Sequence, residues 1–471
     1  MRFHSLVFIT SEACNLNCKY CYIANTKNDT KSYYLEEHNK ITKSLEDNSY
    51  INNYLKLLNR LKLDPKAITA FELWGQEPTM NLEKLFDNFD YLYKAFPNVK
   101  RSVFSTNGVS NLHKIINAIT TVDDIVEQEF TFSIQFSIDG AEYTKENRGI
   151  DVNIILSNIE NMLKELNQIK LQKVKVKIHL HNVISSNVFN ELTTIEQIDN
   201  YWDELNQYAI NLQKINKNKN VFFEDLCFPA LEMPIKATQQ DGINLYNFFY
   251  YSSIGKGKNN VAGLIRRLNK QSEFFKKENL NINDLLVAIK DVKAYDIGKV
   301  EQYNNLSKNC GCGNQSASLK MAYDGDLMFC QTAMFKKREE DFENYVDESD
   351  GYFHSLVKHN RYVNGLTAPI EEVINYFKFY EEYALTAFGI KFTNSLNLLI
   401  WLSEVDLVDP IYKINKEKLL KHAFICAGIQ NCAQDDIIET GSLYGRSADL
   451  VKLYCNGVLG LVEDFTEREK L

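Results

Sequence analysis

The stretch Phe3-His-Ser-Leu-Val-Phe-Ile-Thr10 is followed closely by Cys14-Asn-Leu-Asn-Cys18-Lys-Tyr-Cys21. The first stretch predicts a buried strand, because it is rich in β-branched and aromatic residues. The second places three cysteines in eight residues directly after that strand. The whole chain has 471 residues and ten cysteines, so composition alone does not explain this spacing. The cysteines therefore indicate a chemical site at the end of the first strand.

Strand and helix patterns alternate regularly after this segment. Further strands are predicted at 68–74, 101–106, 130–138, 174–184 and 221–227, and helices at 36–63, 81–96, 112–119, 152–169 and after residue 184. Such alternation predicts a parallel α/β sheet with its functional loops at the carboxyl ends of the strands. We expect a partial (βα)6 barrel of the TIM type over residues 1–230.

Two of the predicted strands carry a polar face opposite an apolar one. In the strand at 130–138 the polar set is Ser133, Gln135 and Ser137, followed by Asp139. In the strand at 174–184 it is Lys175, Lys177, His179 and His181. Strands buried on both faces read as nearly continuous apolar runs. The alternation predicts a hydrated interior and an open barrel.

Composition limits the class of protein. The formal net charge is −9, and no clustered basic stretch indicates a nucleic-acid partner. The amino terminus lacks the features of a signal peptide, and no apolar run approaches the roughly 20 residues that span a bilayer. We expect a cytoplasmic protein with reduced cysteines, bound to neither nucleic acid nor membrane. Thiols at close spacing in such a protein predict metal ligands.

The ligand set favours iron over zinc. Structural zinc takes four protein ligands, and no fourth candidate lies near Cys14, Cys18 and Cys21. Three thiolates hold three irons of a [4Fe–4S] cluster and leave the fourth iron open. CxxxCxxC with an aromatic residue before its last cysteine, here Tyr20, resembles the signature of radical S-adenosylmethionine (radical SAM) enzymes.

The resemblance implies a mechanism and a set of partners. The open iron would bind the amino and carboxylate groups of S-adenosylmethionine, and the reduced cluster would cleave it to a 5′-deoxyadenosyl radical. That radical abstracts a hydrogen atom from the substrate, while the protein supplies positioning and electrostatics. An oxygen-sensitive enzyme with an external electron donor of flavodoxin or ferredoxin type is expected.

Three further motifs resemble the same family, each after a consecutive predicted strand. The second strand ends in Trp74-Gly75-Gln76-Glu77-Pro78, similar to GGEP, where the Glu77 carboxylate would meet the methionine ammonium. Gln76 stands where the family has a second glycine. The third strand ends in Ser105-Thr106-Asn107-Gly108, similar to TNG. The fourth ends in Ser137-Ile-Asp139-Gly140, with Arg148 following, where Ser137 and Arg148 would contact the ribose and the methionine carboxylate.

The second half carries another group of cysteines. After a helical bridging region at 231–305, residues 306–471 contain Cys310, Cys312, Cys330, Cys426, Cys432 and Cys455, with a helical insertion at about 335–421. Asp324-Gly325 predicts a two-residue hairpin turn. The region resembles part of a SPASM domain, which carries auxiliary [4Fe–4S] clusters in peptide-modifying enzymes.

The ligation in this second group is left open by the sequence. The six cysteines suit two clusters, completed by Asp435, Asp436 or His422, or one cluster with spare thiols. A zinc-stabilised hairpin with buried cysteines is the structural alternative.

The expected function is radical modification of a ribosomally made peptide or protein: a thioether, a carbon–carbon crosslink, an epimer or an oxidised residue. The alternatives are a small-molecule radical SAM enzyme, an activase of another protein, and a non-catalytic iron–sulfur sensor. The candidates for contact with the substrate or for proton transfer are His179, His181, Asp225 and Cys227, although the histidines also suit a satisfied core and Cys227 a buried thiol. The first strand begins at residue 3, so we expect no separate leader-binding domain before the barrel.

Overall fold

A parallel sheet forms the centre of the part of the chain that the structure, a computed structural model, describes. The described residues are 3–19, 31–223, 228–231, 244, 247–248, 251–252, 254–260, 318–328 and 363–377. The strands are β1 (Ser5–Ser11), β2 (Ala70–Gly75), β3 (Arg101–Thr106), β4 (Phe130–Ser137), β5 (Val174–Ile184), β6 (Val221–Phe223), β7 (Phe228–Leu231) and β8 (Ser318–Lys320).

The strands lie in the order β6-β5-β4-β3-β2-β1-β8, and β7 pairs with the end of β5. These strand pairings are parallel. Neighbours in sequence are neighbours in space from β1 to β6, so helical crossovers return the chain each time to the same edge. The carboxyl ends of these strands therefore meet at that edge. This confirms the predicted α/β class and its partial (βα)6 TIM-type barrel.

The helices differ from prediction mainly where one long helix was expected. They are α1 (Lys31–Glu46), α2 (Ser49–Arg60), α3 (Leu82–Phe86), α4 (Phe89–Ala95), α5 (Leu112–Ile125), α6 (Ala141–Arg148), α7 (Val152–Leu166), α8 (Ser186–Glu191) and α9 (Ile195–Ile215). The single helix predicted at 36–63 is wrong, because Asn48 adopts the left-handed conformation, with φ 61°, between α1 and α2. The helix predicted at 81–96 is likewise two, α3 and α4, joined around Asn88, whose side-chain amide donates to the Leu45 carbonyl at 3.1 Å.

The core lies between the sheet and the helices. Along β4 the apolar set, which includes Phe132, Ile134 and Phe136, is fully buried. The helices present matching faces, as in α5, where Ile115, Ile119 and Val122 are fully buried at helical spacing. On β5 the alternation is strict, with every second residue buried and the others partly exposed. The predicted polar face is thus confirmed on the side of the sheet away from this core.

The sixth predicted strand, 221–227, is described only in its first three residues. Its described part is β6, which pairs with β5 through Val221, Phe222 and Phe223. β7 then pairs with the far end of β5, where Phe228 lies opposite His181. The residues between β6 and β7, Glu224 to Cys227, lie outside the described part of the chain.

The hairpin predicted at Asp324-Gly325 forms, but its loop has three residues rather than two. The Met321–Leu327 bridge is antiparallel, and the Ala322 amide donates to the Asp326 carbonyl at 2.8 Å. Gly325 has φ 97°, which supplies the positive angle that a three-residue loop needs after a type I turn. The preceding strand, β8, pairs with β1, so this part of the predicted 306–471 domain extends the sheet.

Two buried tyrosines of α2 fasten that hairpin to the sheet. The Tyr50 hydroxyl donates to the Met321 carbonyl at 2.7 Å and accepts from the Ile9 amide at 3.2 Å. The Tyr54 hydroxyl contacts the Val7 carbonyl and accepts from the Met321 amide at 3.2 Å. Both rings stack on each other at 5.6 Å between centroids.

Among the described helices, none is long and apolar enough to cross a membrane.

We expect Tyr50→Phe to lower the free energy of unfolding by about 1–3 kcal/mol, because it leaves a buried amide and carbonyl without their shared partner. Urea denaturation followed by circular dichroism measures this. The control is Tyr91→Phe, whose hydroxyl bonds Asn52 at an exposed position and whose loss costs at most about 0.5 kcal/mol. Equal stability of the two variants would contradict this role for Tyr50.

Candidate active site

The predicted motifs meet at the carboxyl edge of the sheet, around the segment that follows β1. We call residues 12–21 the cysteine loop, of which 12–19 are described. Cys14 and Cys18 are both partly exposed there. The described part has no regular secondary structure of its own, so its backbone groups need partners from neighbouring elements.

The end of β2 supplies the first partners of the cysteine loop. The Gln76 amide donates to the Ser11 carbonyl at 3.0 Å, and the Glu77 amide donates to the Ala13 carbonyl at 3.1 Å. Gly75 makes this approach feasible: its φ is 143°, and a Cβ atom there would lie 2.2 Å from the Ser11 carbonyl oxygen. The glycine of the predicted motif is therefore required by a close backbone contact.

Gln76 adds a contact that a glycine at this position would lack. Its side-chain amide donates to the Glu12 carbonyl at 2.6 Å. Gln76 therefore adds a side-chain contact to the two backbone contacts between the end of β2 and the start of the cysteine loop. Pro78 follows in a short 3-10 helix, Pro78–Met80, and its carbonyl accepts from the Thr10 hydroxyl at 3.3 Å.

Glu77 is buried, with 1% of its surface exposed. One carboxylate oxygen accepts from the Thr79 hydroxyl at 2.6 Å and from the Thr106 hydroxyl at 2.8 Å, and the other accepts from the Asn107 amide at 2.8 Å. Burial raises the pKa of Glu77, and these hydrogen bonds oppose the rise. The carboxylate thus joins the ends of β2 and β3. Its contact with a methionine ammonium stays a prediction.

Asn107 connects the end of β3 to the cysteine loop. Its side-chain amide nitrogen lies 2.7 Å from Oδ1 of Asn15 and 3.8 Å from Sγ of Cys14. Asn15 in turn donates to the Ser110 hydroxyl at 3.0 Å. The loop is therefore held from two successive strands, β2 and β3.

The fourth motif forms a buried ion pair beside the loop. Arg148 donates from Nε and Nη2 to the two carboxylate oxygens of Asp139, at 2.7 and 3.0 Å, and both residues are buried. Asp139 also accepts from the Val183 amide at 2.8 Å, which ties α6 to the end of β5. Next to Arg148, the Asn147 carbonyl accepts from the Lys19 amide of the cysteine loop at 2.7 Å. Contact between Arg148 and a methionine carboxylate stays a prediction.

The polar face of the sheet continues below this edge. Ser105 lies opposite Gln135 on β4, which lies opposite His179 on β5, and the Ser105 hydroxyl donates to Gln135 at 2.7 Å. Ser137 lies opposite His181. Loss of hydration lowers the pKa of His181 to about 4, and the Arg148 guanidinium acts in the same direction. His181 is therefore neutral at pH 7.

Several residues of the site carry no local sequence signal. His38 of α1 contacts the Ser11 hydroxyl through Nδ1 at 3.1 Å, behind the cysteine loop. Burial lowers the pKa of His38, and the charge of Lys114 adds to the effect. Asn81 donates to the Thr10 carbonyl at 2.8 Å. These contacts join positions far apart in sequence, and only the shared sheet edge brings them together.

Other predicted site residues lie outside the described part of the chain. They are Tyr20, Cys21, Asp225, Cys227, Cys310, Cys312, Cys330, Cys426, Cys432 and Cys455. Within the described residues, no group of three or more His, Cys, Asp or Glu side chains is placed to hold a metal ion. The three-cysteine ligand set and the auxiliary ligands stay predictions.

Comparisons with known proteins give matches among solved structures. No protein-family model and no curated protein matches it. Matching crystal structures are of SuiB from Streptococcus suis: bound to precursor peptide SuiA (13% identity, TM-score 0.35), alone (13%, 0.36) and bound to S-adenosylmethionine (14%, 0.36). The matches cover 72%, 72% and 75% of this chain and 61%, 62% and 66% of those chains. The chain thus spans less than two thirds of the length of SuiB, and its family stays a proposal.

Gln76→Ala should loosen the cysteine loop without disturbing the sheet. It removes the bond to the Glu12 carbonyl and should lower the free energy of unfolding by about 0.5–1.5 kcal/mol. Hydrogen exchange of the peptide covering residues 11–19 should accelerate, because that segment loses one anchor. Gln172→Ala, at an exposed position, is the control and should change neither quantity. Unchanged exchange in Gln76→Ala would show that its side chain does not hold the loop.

His181 should make stability depend on pH. Its folded pKa, about 4, lies below the value of roughly 6.5 in an unfolded chain, so the unfolded state binds the proton first. Stability is therefore present above pH 6.5 and is lost as the pH falls toward 4. We expect the Tm of His181→Asn to fall less steeply over this range than that of wild type. His113→Asn, at an exposed position of α5, is the control, and identical slopes for His181→Asn and wild type would refute the assignment.

Proposed function

We propose that this chain is a radical SAM enzyme that modifies a peptide or protein. The observation that carries the proposal is the support of the cysteine loop. The ends of β2, β3 and α6 all donate to it or accept from it, through Gln76, Asn107 and Asn147. These are the three places where the sequence carries motifs that resemble S-adenosylmethionine-binding motifs. Three short motifs, each weak alone in sequence, thus contact the cysteine loop in one connected structure.

The donor set of the loop fits an iron–sulfur cluster. Cys14 and Cys18 are partly exposed at the carboxyl edge, and the Cys14 sulfur has two N–H groups within hydrogen-bonding distance. Such donors suit a thiolate ligand. With Cys21, they would hold a [4Fe–4S] cluster, which when reduced supplies the electron that cleaves S-adenosylmethionine. Ser137, Arg148 and residues 75–78, which include Glu77, would position that cofactor.

The polar side of the sheet supports a substrate cavity beside the loop. Gln135, Ser137, His179 and His181 are partly exposed, whereas the opposite side of the same strands is fully buried. A closed, packed barrel would bury both sides. We propose that the substrate lies against this wall, with His179, His181, Asp225 or Cys227 as contacts. The auxiliary cysteines, which resemble a SPASM domain, favour a peptide or protein substrate.

The product is left open among a thioether, a carbon–carbon crosslink, an epimer and an oxidised residue. We propose an external electron donor of flavodoxin or ferredoxin type, a cytoplasmic location, and no nucleic-acid or membrane partner. The runner-up is a small-molecule radical SAM enzyme or an activase. A non-catalytic sensor is disfavoured, because a sensor does not need the proposed S-adenosylmethionine-binding residues Glu77, Ser137 and Arg148.

The direct test replaces Cys14, Cys18 and Cys21 with Ala. Anaerobically reconstituted wild type should hold more than one cluster, and the triple variant should lose about four irons per chain. Cleavage of S-adenosylmethionine to 5′-deoxyadenosine should disappear with them. Colorimetric iron analysis and chromatography measure the two. Full iron content in the triple variant would overturn the cluster assignment, and a loaded wild type that never cleaves the cofactor would favour the sensor.

The substrate class needs a separate measurement. Reduced enzyme and S-adenosylmethionine are incubated with a deuterium-labelled peptide encoded beside the gene. Deuterium in 5′-deoxyadenosine together with a mass change in the peptide would support peptide modification. Turnover with a small metabolite alone would support the runner-up.

A further inference from the structure

Among the described residues, two nitrogen donors lie near the sulfur of Cys14, and they differ in origin. The Leu16 amide, inside the cysteine loop, lies 3.4 Å from Sγ. The side-chain amide of Asn107, which follows β3, lies 3.8 Å from it. The first donor comes with the local turn of the loop. The second is brought by the fold, across 93 residues of sequence.

The orientation of the Asn107 amide is determined by its surroundings. Its Oδ1 accepts from the Val109 amide at 2.9 Å, so its Nδ2 must be the atom that faces the loop. That Nδ2 also donates to Asn15 at 2.7 Å. Its backbone amide is held by the buried Glu77 carboxylate at 2.8 Å. Asn107 itself is 8% exposed, so its donor is fixed and largely shielded from water.

A turn residue alone does not account for this arrangement. Gly108 has φ 70°, and the Oδ1 contact with Val109 is the bond that an asparagine or an aspartate makes in such a turn. An aspartate would keep both features. Only an asparagine also places an N–H group toward Cys14 and Asn15. The amide nitrogen therefore points to a role beyond the turn.

We propose that Asn107 is a positioning residue that donates to the Cys14 thiolate and raises the reduction potential of the cluster that Cys14 holds. The inference rests on the proposed function. Hydrogen bonds to the sulfur ligands withdraw electron density from the iron and stabilise its more negative, reduced state. Through Asn107, the motif at the end of β3 thus influences the reduction potential of the cluster.

The test compares Asn107→Ala, Asn107→Asp and the control Asn117→Ala, at an exposed position of α5, in the full chain. The signal followed is the one that disappears in the Cys14/Cys18/Cys21 triple variant, in a redox titration read by electron paramagnetic resonance. Asn107→Ala should make one-electron reduction about tenfold less favourable, which corresponds to a shift of about 59 mV to more negative potential. Asn107→Asp keeps the turn and should shift it in the same direction. Asn117→Ala removes an asparagine side chain outside the site and should leave the potential unchanged.

The outcomes separate this inference from the proposed function. If wild type holds no cluster, the proposed function fails. If Asn107→Ala or Asn107→Asp holds full iron at the wild-type potential, this inference alone is wrong. If both lose the cluster while keeping wild-type circular dichroism, and Asn117→Ala retains it, Asn107 is needed to hold the cluster and the proposed effect on its potential is wrong.

Discussion

The backbone of β2 passes so close to that of β1 that Gly75 has no room for a side chain. A Cβ atom at Gly75 would lie 2.2 Å from the Ser11 carbonyl oxygen, a distance that real contacts do not reach. This approach lets the amides of Gln76 and Glu77 donate to carbonyls at the start of the cysteine loop. Without this close approach of the two backbones, the segment that carries Cys14 and Cys18 would lose its hydrogen bonds to the end of β2. The other contacts of the site depend on the position of that segment.

The remaining contacts extend this anchorage across the edge of the sheet. The buried Glu77 carboxylate accepts a hydrogen bond from the Asn107 backbone amide at the end of β3. This bond helps to orient the Asn107 side chain toward Cys14. On the other side, the Asp139–Arg148 pair closes α6 against β5, and α6 holds the loop at Lys19. Removing either Asp139 or Arg148 would leave the other as an uncompensated buried charge, so the position of each residue depends on the other. The groups that contact the loop, such as Asn107 and Asn147, are thus positioned by buried charged residues behind them.

The sequence predicts the sheet well because its signals are local. Alternation along β4 and β5, and the strand–helix order, follow from side-chain periods of 2 and 3.6 residues. The break at Asn48 and the three-residue hairpin loop at Gly325 escaped prediction, since they depend on single positive φ angles. In the site, motif spacing identifies Glu77, Asp139 and Arg148 but not which residues they contact. Asn15, His38 and Asn147 become site residues only through the parallel topology, which joins positions 27 to 128 residues apart.

In the proposed function, the cysteine loop holds an iron–sulfur cluster with an open iron that binds S-adenosylmethionine. The electron paramagnetic resonance spectrum of the reduced, anaerobically reconstituted chain, recorded with and without S-adenosylmethionine, tests this directly. We expect the cofactor to change the signal assigned to Cys14, Cys18 and Cys21, because it becomes a ligand of that cluster. A spectrum that stays the same when calorimetry shows the cofactor bound would show that the cluster has no open iron for it.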